Sequence, residues 1–249
     1  PYNGAFFMLL LLTMSAIVVL RFALRKKTLK QRRRILLILC LCNIVLFIGY
    51  KFALSLDAGY ILEYYKGRFV WLNELPLHLC NINLFLIPIG LLQRNRKMIS
   101  FSFFVAPLGA LMALIFPMVL FTDCSLFIPR VLGYYVTHCI LIICGISLTA
   151  LEFYSPNFSD IPRVLKLFLL MGVAVHVINM IVRHTVHPET NYFFTYGSDA
   201  SILKFFWKLI PLPLIYALPV LLILAGYMSM ICGLFHIGGL RNQAANLRK

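Results

Sequence analysis

The sequence predicts an all-α, polytopic integral membrane protein of about seven transmembrane helices, with the N-terminus outside and the C-terminus in the cytoplasm. Three observations predict it. The 249 residues are 61% hydrophobic and only 12% charged, with a mean hydropathy of +0.90, whereas a soluble domain carries about twice that charged fraction. The apolar stretches are long enough for a bilayer, which takes roughly 20 residues each, and they do not alternate as β-barrel strands do. The basic residues are segregated along the chain, as a membrane orients them.

Apolar runs and polar breaks place the helices in order. The first is expected at 5–24, ended by the block RKKTLKQRRR. It is long for a signal-peptide core and lacks a small-residue cleavage site, so it reads as a helix. The second is expected at 35–55, and the third at 75–92, ended by QRNRK. The fourth is expected at 99–121, the fifth at 131–152 and the sixth at 164–182. A polar loop follows, then a short interfacial helix at 201–209 and the seventh span at 210–235. No internal repeat or low-complexity tract is present, and 1–249 reads as a single transmembrane domain. Prolines within or beside these runs (Pro76, Pro88, Pro107, Pro117, Pro211, Pro213, Pro219) suggest irregular helices around a cavity.

Orientation follows from the Lys and Arg residues. Sixteen of the 23 fall on one side: the block Arg21 to Arg34, then Arg94, Arg96, Lys97, Arg163, Lys166, Arg241, Arg248 and Lys249. Asp57, Glu63, Glu74, Asp123, Glu189 and Asp199 fall on the other. The basic side is therefore assigned to the cytoplasm. The net charge of +15 is membrane-surface charge facing anionic headgroups. No soluble domain exists to present it to nucleic acid, which is not expected as a partner. Most of the seven cysteines lie in apolar runs, so no disulfide framework is expected.

Polar side chains within a bilayer are expensive, which makes them the first functional candidates. The third helix opens with Glu74 and carries His78, Cys80, Asn81 and Asn83. The fifth carries Tyr134, Tyr135, Thr137, His138 and Cys139; the sixth carries His176 and Asn179. The following loop carries His184, His187, Asn191, Tyr192 and Tyr196. With helices starting at 75 and 131, Cys80 and His138 both fall on the order of 7–11 Å below the outer surface. A glycerolipid ester sits near that depth. His78 and Cys80 are two apart and point to different faces, so a base for Cys80 must come from another helix. His138 is the candidate, since an imidazole that takes a thiol's proton creates a nucleophile. His78 and Asn81 share a face and could orient His138 or hold a carbonyl oxygen, as could Asn83. Cys139 and Thr137 are rival nucleophiles beside His138.

Plainer readings compete. A cysteine in a membrane helix is often only a small apolar residue, which suits Cys40, Cys42, Cys144 and Cys232. A histidine there can hydrogen-bond for packing alone, an alternative open for His138 and His176. His184 and His187 read as solvated loop residues. No paired metal-ligand spacing, nucleophile elbow or phosphate loop occurs, so no metal and no cofactor are expected.

The stretches LPLHLCNINLFLIPIGLL and YYVTHCILI, with NYFFTYGSDASIL before the last helix, resemble the YwaF-like bacterial membrane proteins, homologous to animal transmembrane protein 164. The resemblance runs from about Glu74 to about Leu222. It implies a cysteine-dependent acyltransferase that moves a fatty acyl chain between glycerophospholipids, with Cys80 as nucleophile and His138 as general base. It also places His78 in the cysteine motif and Asn191 and Tyr192 in the later NY segment. The bacterial proteins often carry Asp after the cysteine, where this chain has Asn81.

The expected function is therefore lipid acyl transfer between membrane phospholipids through a thioester on Cys80, in a bacterial plasma membrane. Asn179 and His176 join the supporting or substrate-binding candidates. A lipid-ester hydrolase using the same site is the first alternative. A non-enzymatic transporter or lipid-binding protein is the second, although repeat symmetry and a mid-helix carboxylate are missing.

Overall fold

The computed structural model describes residues 4–117, 127–197 and 201–246, with side chains omitted at 201–202 and 239–246. Among the described residues the regular structure is entirely helical: α1 (Gly4–Leu24), α2 (Leu29–Leu56), α3 (Ala58–Tyr65), α4 (Leu79–Gln93), α5 (Arg96–Ile115), α6 (Pro129–Ala150), α7 (Ile161–Thr185), α8 (Ser201–Leu209) and α9 (Leu218–Asn246). Among the described residues six helices are long and apolar enough to cross a membrane. A further apolar helix, α4, has 15 residues, about 22 Å of rise against a hydrocarbon core of about 30 Å. The chain is a polytopic α-helical membrane protein.

Local chemistry sets the boundaries. Thr28 and Gln31 form a reciprocal capping box, so α2 starts at Leu29 and includes the basic block that the apolar pattern leaves outside the helix. Asp57 accepts from the Tyr60 amide at 2.9 Å and starts α3, a short helix the hydropathy pattern does not show. That helix ends on Lys66 and Gly67, both at positive φ, with the Gly67 amide closing onto the Ile61 carbonyl, a Schellman arrangement. Asn95 caps α5 by accepting from the Lys97 and Met98 amides, and Pro129 opens α6 at its first turn. The fourth helix ends at Ile115 rather than 121, ahead of Pro117. The expected extension over 118–121 lies outside the described residues, as do Asp123, Asp199, Arg248 and Lys249. The interfacial helix appears at Ser201–Leu209. The last span starts later than 210, with a 3₁₀ turn at Ile215–Ala217 before α9.

Contacts group the chain into two compact units, Pro1–Phe153 with Val182–Thr190, and Tyr154–Ile181 with Asn191–Lys249. In the first unit α5 and α6 form the centre. Their apolar windows are 56% and 61% buried, against 17% for α1; α4 packs on both, and α2 packs on α6 and α4. Two glycines on α6 permit the close approach. A Cβ on Gly145 would lie 2.7 Å from the Pro107 ring of α5, and one on Gly133 would lie 2.6 Å from Tyr50 Cβ of α2. Small residues at such contacts bring membrane helices together where no hydrophobic effect drives association. In the second unit, α9 packs against the turns at Phe158–Asp160 and Ile215–Ala217, and α8 packs on the latter.

Candidate active site at the N-terminus of α4

The third span does not begin at 75. Trp71–Asn73 forms a 3₁₀ turn, His78 is the extended N-cap, and α4 starts at Leu79. Pro76 offers no amide hydrogen and holds Leu75 out of the helical region. The expectation that Cys80 lies five residues inside a regular helix is thereby corrected: Cys80 is the second residue of α4. Its depth comes from its neighbours instead. A Cβ on Gly109 would lie 3.8 Å from the Cys80 nitrogen, and Gly109 sits about 9 Å along α5 from the Ile115 end. The segment before α4 thus descends part way into the bundle. Irregular backbone at such a depth is tolerated where protein surrounds it.

This geometry alters the chemistry available to the thiol. The first intrahelical bond of α4 runs from the Ile82 amide to the His78 carbonyl at 2.9 Å, and His78 makes no side-chain cap. The Leu79, Cys80 and Asn81 amides precede that bond, at the positive end of the helix dipole. A thiolate or a developing oxyanion at this point is stabilised by both effects. The Cys80 thiol itself donates to Asn81 Oδ1 at 3.5 Å, and Cys80 is half-buried.

His138 lies on α6 and is buried. Its Nδ1 is 2.7 Å from the Tyr134 carbonyl oxygen. A carbonyl only accepts, so Nδ1 carries the hydrogen and the neutral ring presents Nε2 as its proton acceptor. The ring also packs on Tyr134 with centroids 4.5 Å apart. Tyr134 in turn lies close enough to interact electrostatically with Cys80, as Tyr50 of α2 does. His78 interacts likewise with His138. On the far side, Asn43 of α2 donates to the Thr137 carbonyl at 3.1 Å and pins α2 to α6 beside His138. Asn83 is fully buried and donates to the Leu79 carbonyl at 2.8 Å. Its amide hydrogen thereby holds the first turn of α4. Thr137 donates to backbone carbonyls of its own helix.

A charged network ties α2 and α3 to the segment before α4. Lys51, at the end of α2, pairs with Glu74. Glu74 also accepts from the Tyr60 and Tyr65 hydroxyls, each at 2.7 Å. Burial alone would raise the Glu74 pKa, but the Lys51 charge and the three donors outweigh it and hold the carboxyl below its ordinary range. Tyr60 and Tyr65 are pushed up by burial first and by the Glu74 charge second. Arg130 and Asp57 form a second ion pair, at 3.1 Å.

His176, Asn179, Asn191 and Tyr192 fall in the second unit and form one cluster. Asn179 exchanges two hydrogen bonds with the Tyr192 backbone, at 2.9 and 2.7 Å, and donates to Thr195 Oγ1 at 2.8 Å. His176 Nδ1 lies 3.0 Å from the same Thr195 oxygen, and its ring packs on Tyr196. Asn191 donates to the Gly197 carbonyl at 2.6 Å and accepts from the Tyr196 amide at 3.0 Å. Tyr192 is 1% exposed. These bonds hold a loop whose Phe193 and Phe194 sit at positive φ, a conformation that costs about 1–2 kcal/mol per residue.

Four residues escaped the sequence reading: Tyr50, Lys51, Asn43 and Thr195. Lys51 and Tyr50 carried a faint signal, a lysine–tyrosine pair closing an apolar run, and the other two carried none. Among the described residues no group of three or more His, Cys, Asp or Glu side chains is placed to hold a metal ion. No curated protein and no solved structure matches the chain. The TMEM164 family matches it over residues 3–231, which includes both halves of the Cys80–His138 arrangement and the Asn191 loop, and the chain belongs to that family.

Proposed function

We propose that this membrane protein is a lipid acyltransferase that moves an acyl chain between glycerolipids through a thioester on Cys80. The observation that carries this reading is the placement of Cys80 in the first turn of α4, part way down the bundle, with the tautomer of His138 fixed for proton acceptance. The basic-residue distribution supports an N-terminus outside and a C-terminus in the cytoplasm, which puts the site toward the outer leaflet. The proposed setting is a bacterial plasma membrane.

In the first half-reaction His138 Nε2 takes the thiol proton, and the sulfur attacks the ester carbonyl carbon of a donor lipid. Negative charge moves to the carbonyl oxygen, where the α4 amides and Asn81 can stabilise it. Collapse breaks the carbon–oxygen bond, and the leaving lysolipid oxygen takes the proton from His138. In the second half, an acceptor hydroxyl gives its proton to His138 and attacks the thioester, freeing the thiol. Exclusion of water by the bilayer favours transfer over hydrolysis. No soluble cofactor enters this scheme. His78 borders the same site, and Asn83 steadies its helix.

A lipid-like electrophile that traps thiolates tests the site. Incubated with purified protein and read by intact mass, it is expected to add once, at Cys80, with labelling lost in Cys80→Ala and cut about 10²-fold or more in His138→Ala. Labelling spread over several cysteines and indifferent to His138 overturns the scheme and favours a transporter or lipid-binding protein.

A further inference from the structure

Cys40 and Cys144 take no part in the steps just described, and they are in contact. Cys40 lies on α2 and Cys144 on α6, 104 residues apart in the chain, and the Cys40 thiol donates to the Cys144 sulfur at 3.7 Å. They are 3% and 1% exposed, whereas Cys42, two residues further along α2, is exposed. The pair belongs to an antiparallel seam. Tyr50 packs on Gly133, Asn43 donates to the Thr137 carbonyl, and Cys40 meets Cys144. Cys40 is three residues from Asn43, and Cys144 is seven from Thr137, spacings that keep each pair on one helix face. Asn83 of α4 reaches the same place, since a small cavity is bordered by Cys40, Asn43, Asn83 and Cys144. Asn43 and Asn83 donate their amide hydrogens to helix carbonyls, but the side-chain oxygen of each has no hydrogen-bond partner. A buried acceptor left open is costly, so the two thiols share their cavity with groups suited to a small hydrogen-bond donor.

We infer that Cys40 and Cys144 are a redox-active dithiol, which hydrogen peroxide converts to a disulfide that locks α2 to α6. The inference is independent of the role of Cys80. Hydrogen peroxide is the oxidant by its chemistry. It is small and uncharged, and its two hydrogens match the two open amide oxygens. One thiol loses its proton and attacks a peroxide oxygen, the oxygen–oxygen bond breaks, and a sulfenic acid and one water result. The second thiol attacks that sulfur, the sulfur–oxygen bond breaks, and the hydroxyl leaves as a second water with the thiol's proton. Two thiols are thereby oxidised and one peroxide is reduced. An external dithiol reverses the change by exchange. The sulfurs must close from 3.7 Å to about 2.05 Å. That movement draws α2 toward α6 on the seam where Asn43 holds the Thr137 carbonyl, one residue from His138.

The test treats detergent-solubilised full-length protein with hydrogen peroxide, blocks the remaining thiols with N-ethylmaleimide, and maps the peptides by mass. The expected product is the Cys40 peptide joined to the Cys144 peptide with two hydrogens lost, separated again by dithiothreitol. The cross-link closes a long stretch of chain, so the oxidised protein is expected to melt about 5 °C or more above the reduced one, and dithiothreitol is expected to return it. Cys40→Ser and Cys144→Ser are each expected to abolish both the joined peptide and the rise in melting. Where a serine variant does not fold, the map and the melting of the wild-type protein decide. Oxygen adducts on separate cysteines with no joined pair overturn the inference, as does a cross-link made by Cys42 in place of Cys40. A joined pair that leaves the melting point unchanged overturns the lock.

Discussion

Cys80→Ala is expected to bring acyl transfer between phospholipids in reconstituted vesicles to background, a loss of about a thousandfold or more. Cys80→Ser is expected to recover little, because the hydroxyl in the same place ionises far less readily than the thiol. His138→Ala is expected to cost about 10²–10⁴-fold, the usual contribution of a general base. Removing both groups is expected to be no worse than removing Cys80 alone, since the pair acts as a unit. Donor and lysolipid product are followed by mass spectrometry in the same vesicles. Free fatty acid as the dominant product in wild type indicates a hydrolase at the same site. The Cys80 thiol is half-buried and donates to Asn81 Oδ1, so thermal unfolding of Cys80→Ala is expected to match wild type. A melting point that falls with the activity points to a structural thiol.

The largest expected effect on stability is at Asn179. This fully buried side chain serves both backbone groups of Tyr192 and the hydroxyl of Thr195. Asn179→Ala strands three buried polar groups, at about 1–3 kcal/mol each where no replacement partner reaches them. A loss of about 3 kcal/mol or more is expected in denaturation of the detergent-solubilised protein. Asn179→Asp retains an acceptor for the Tyr192 amide and loses both donors, so it is expected to fall between. A loss below about 1 kcal/mol for Asn179→Ala shows that the loop finds other partners and that the backbone of Tyr192 does not depend on this side chain.

Hydropathy and charge carried the membrane fold. The six long spans lie where apolar windows place them, because burial in lipid demands only length and apolarity. The segment from Lys66 to His78 was not legible in that way. An apolar window averages over Leu75, Pro76 and Leu77 and cannot register that the helix has not begun. The cysteine's helix-terminal setting was therefore invisible. Cys80 and His138 were legible as polar residues within apolar runs, whereas Lys51 and Asn43 were not singled out there. Asn179 and Asn191 were picked out for their polarity. Their work on the 191–197 loop depends on backbone groups, which no side-chain pattern reveals.

The most direct measurement of the central claim is the intact mass of the protein after incubation with a phospholipid donor and no acceptor. The expected result is a single added acyl group, removed by neutral hydroxylamine, mapping to Cys80 and missing in Cys80→Ala. It is expected to vanish when an acceptor lysolipid is added. An unmodified protein that still transfers acyl chains, or an acyl group that persists in Cys80→Ala, contradicts the thioester.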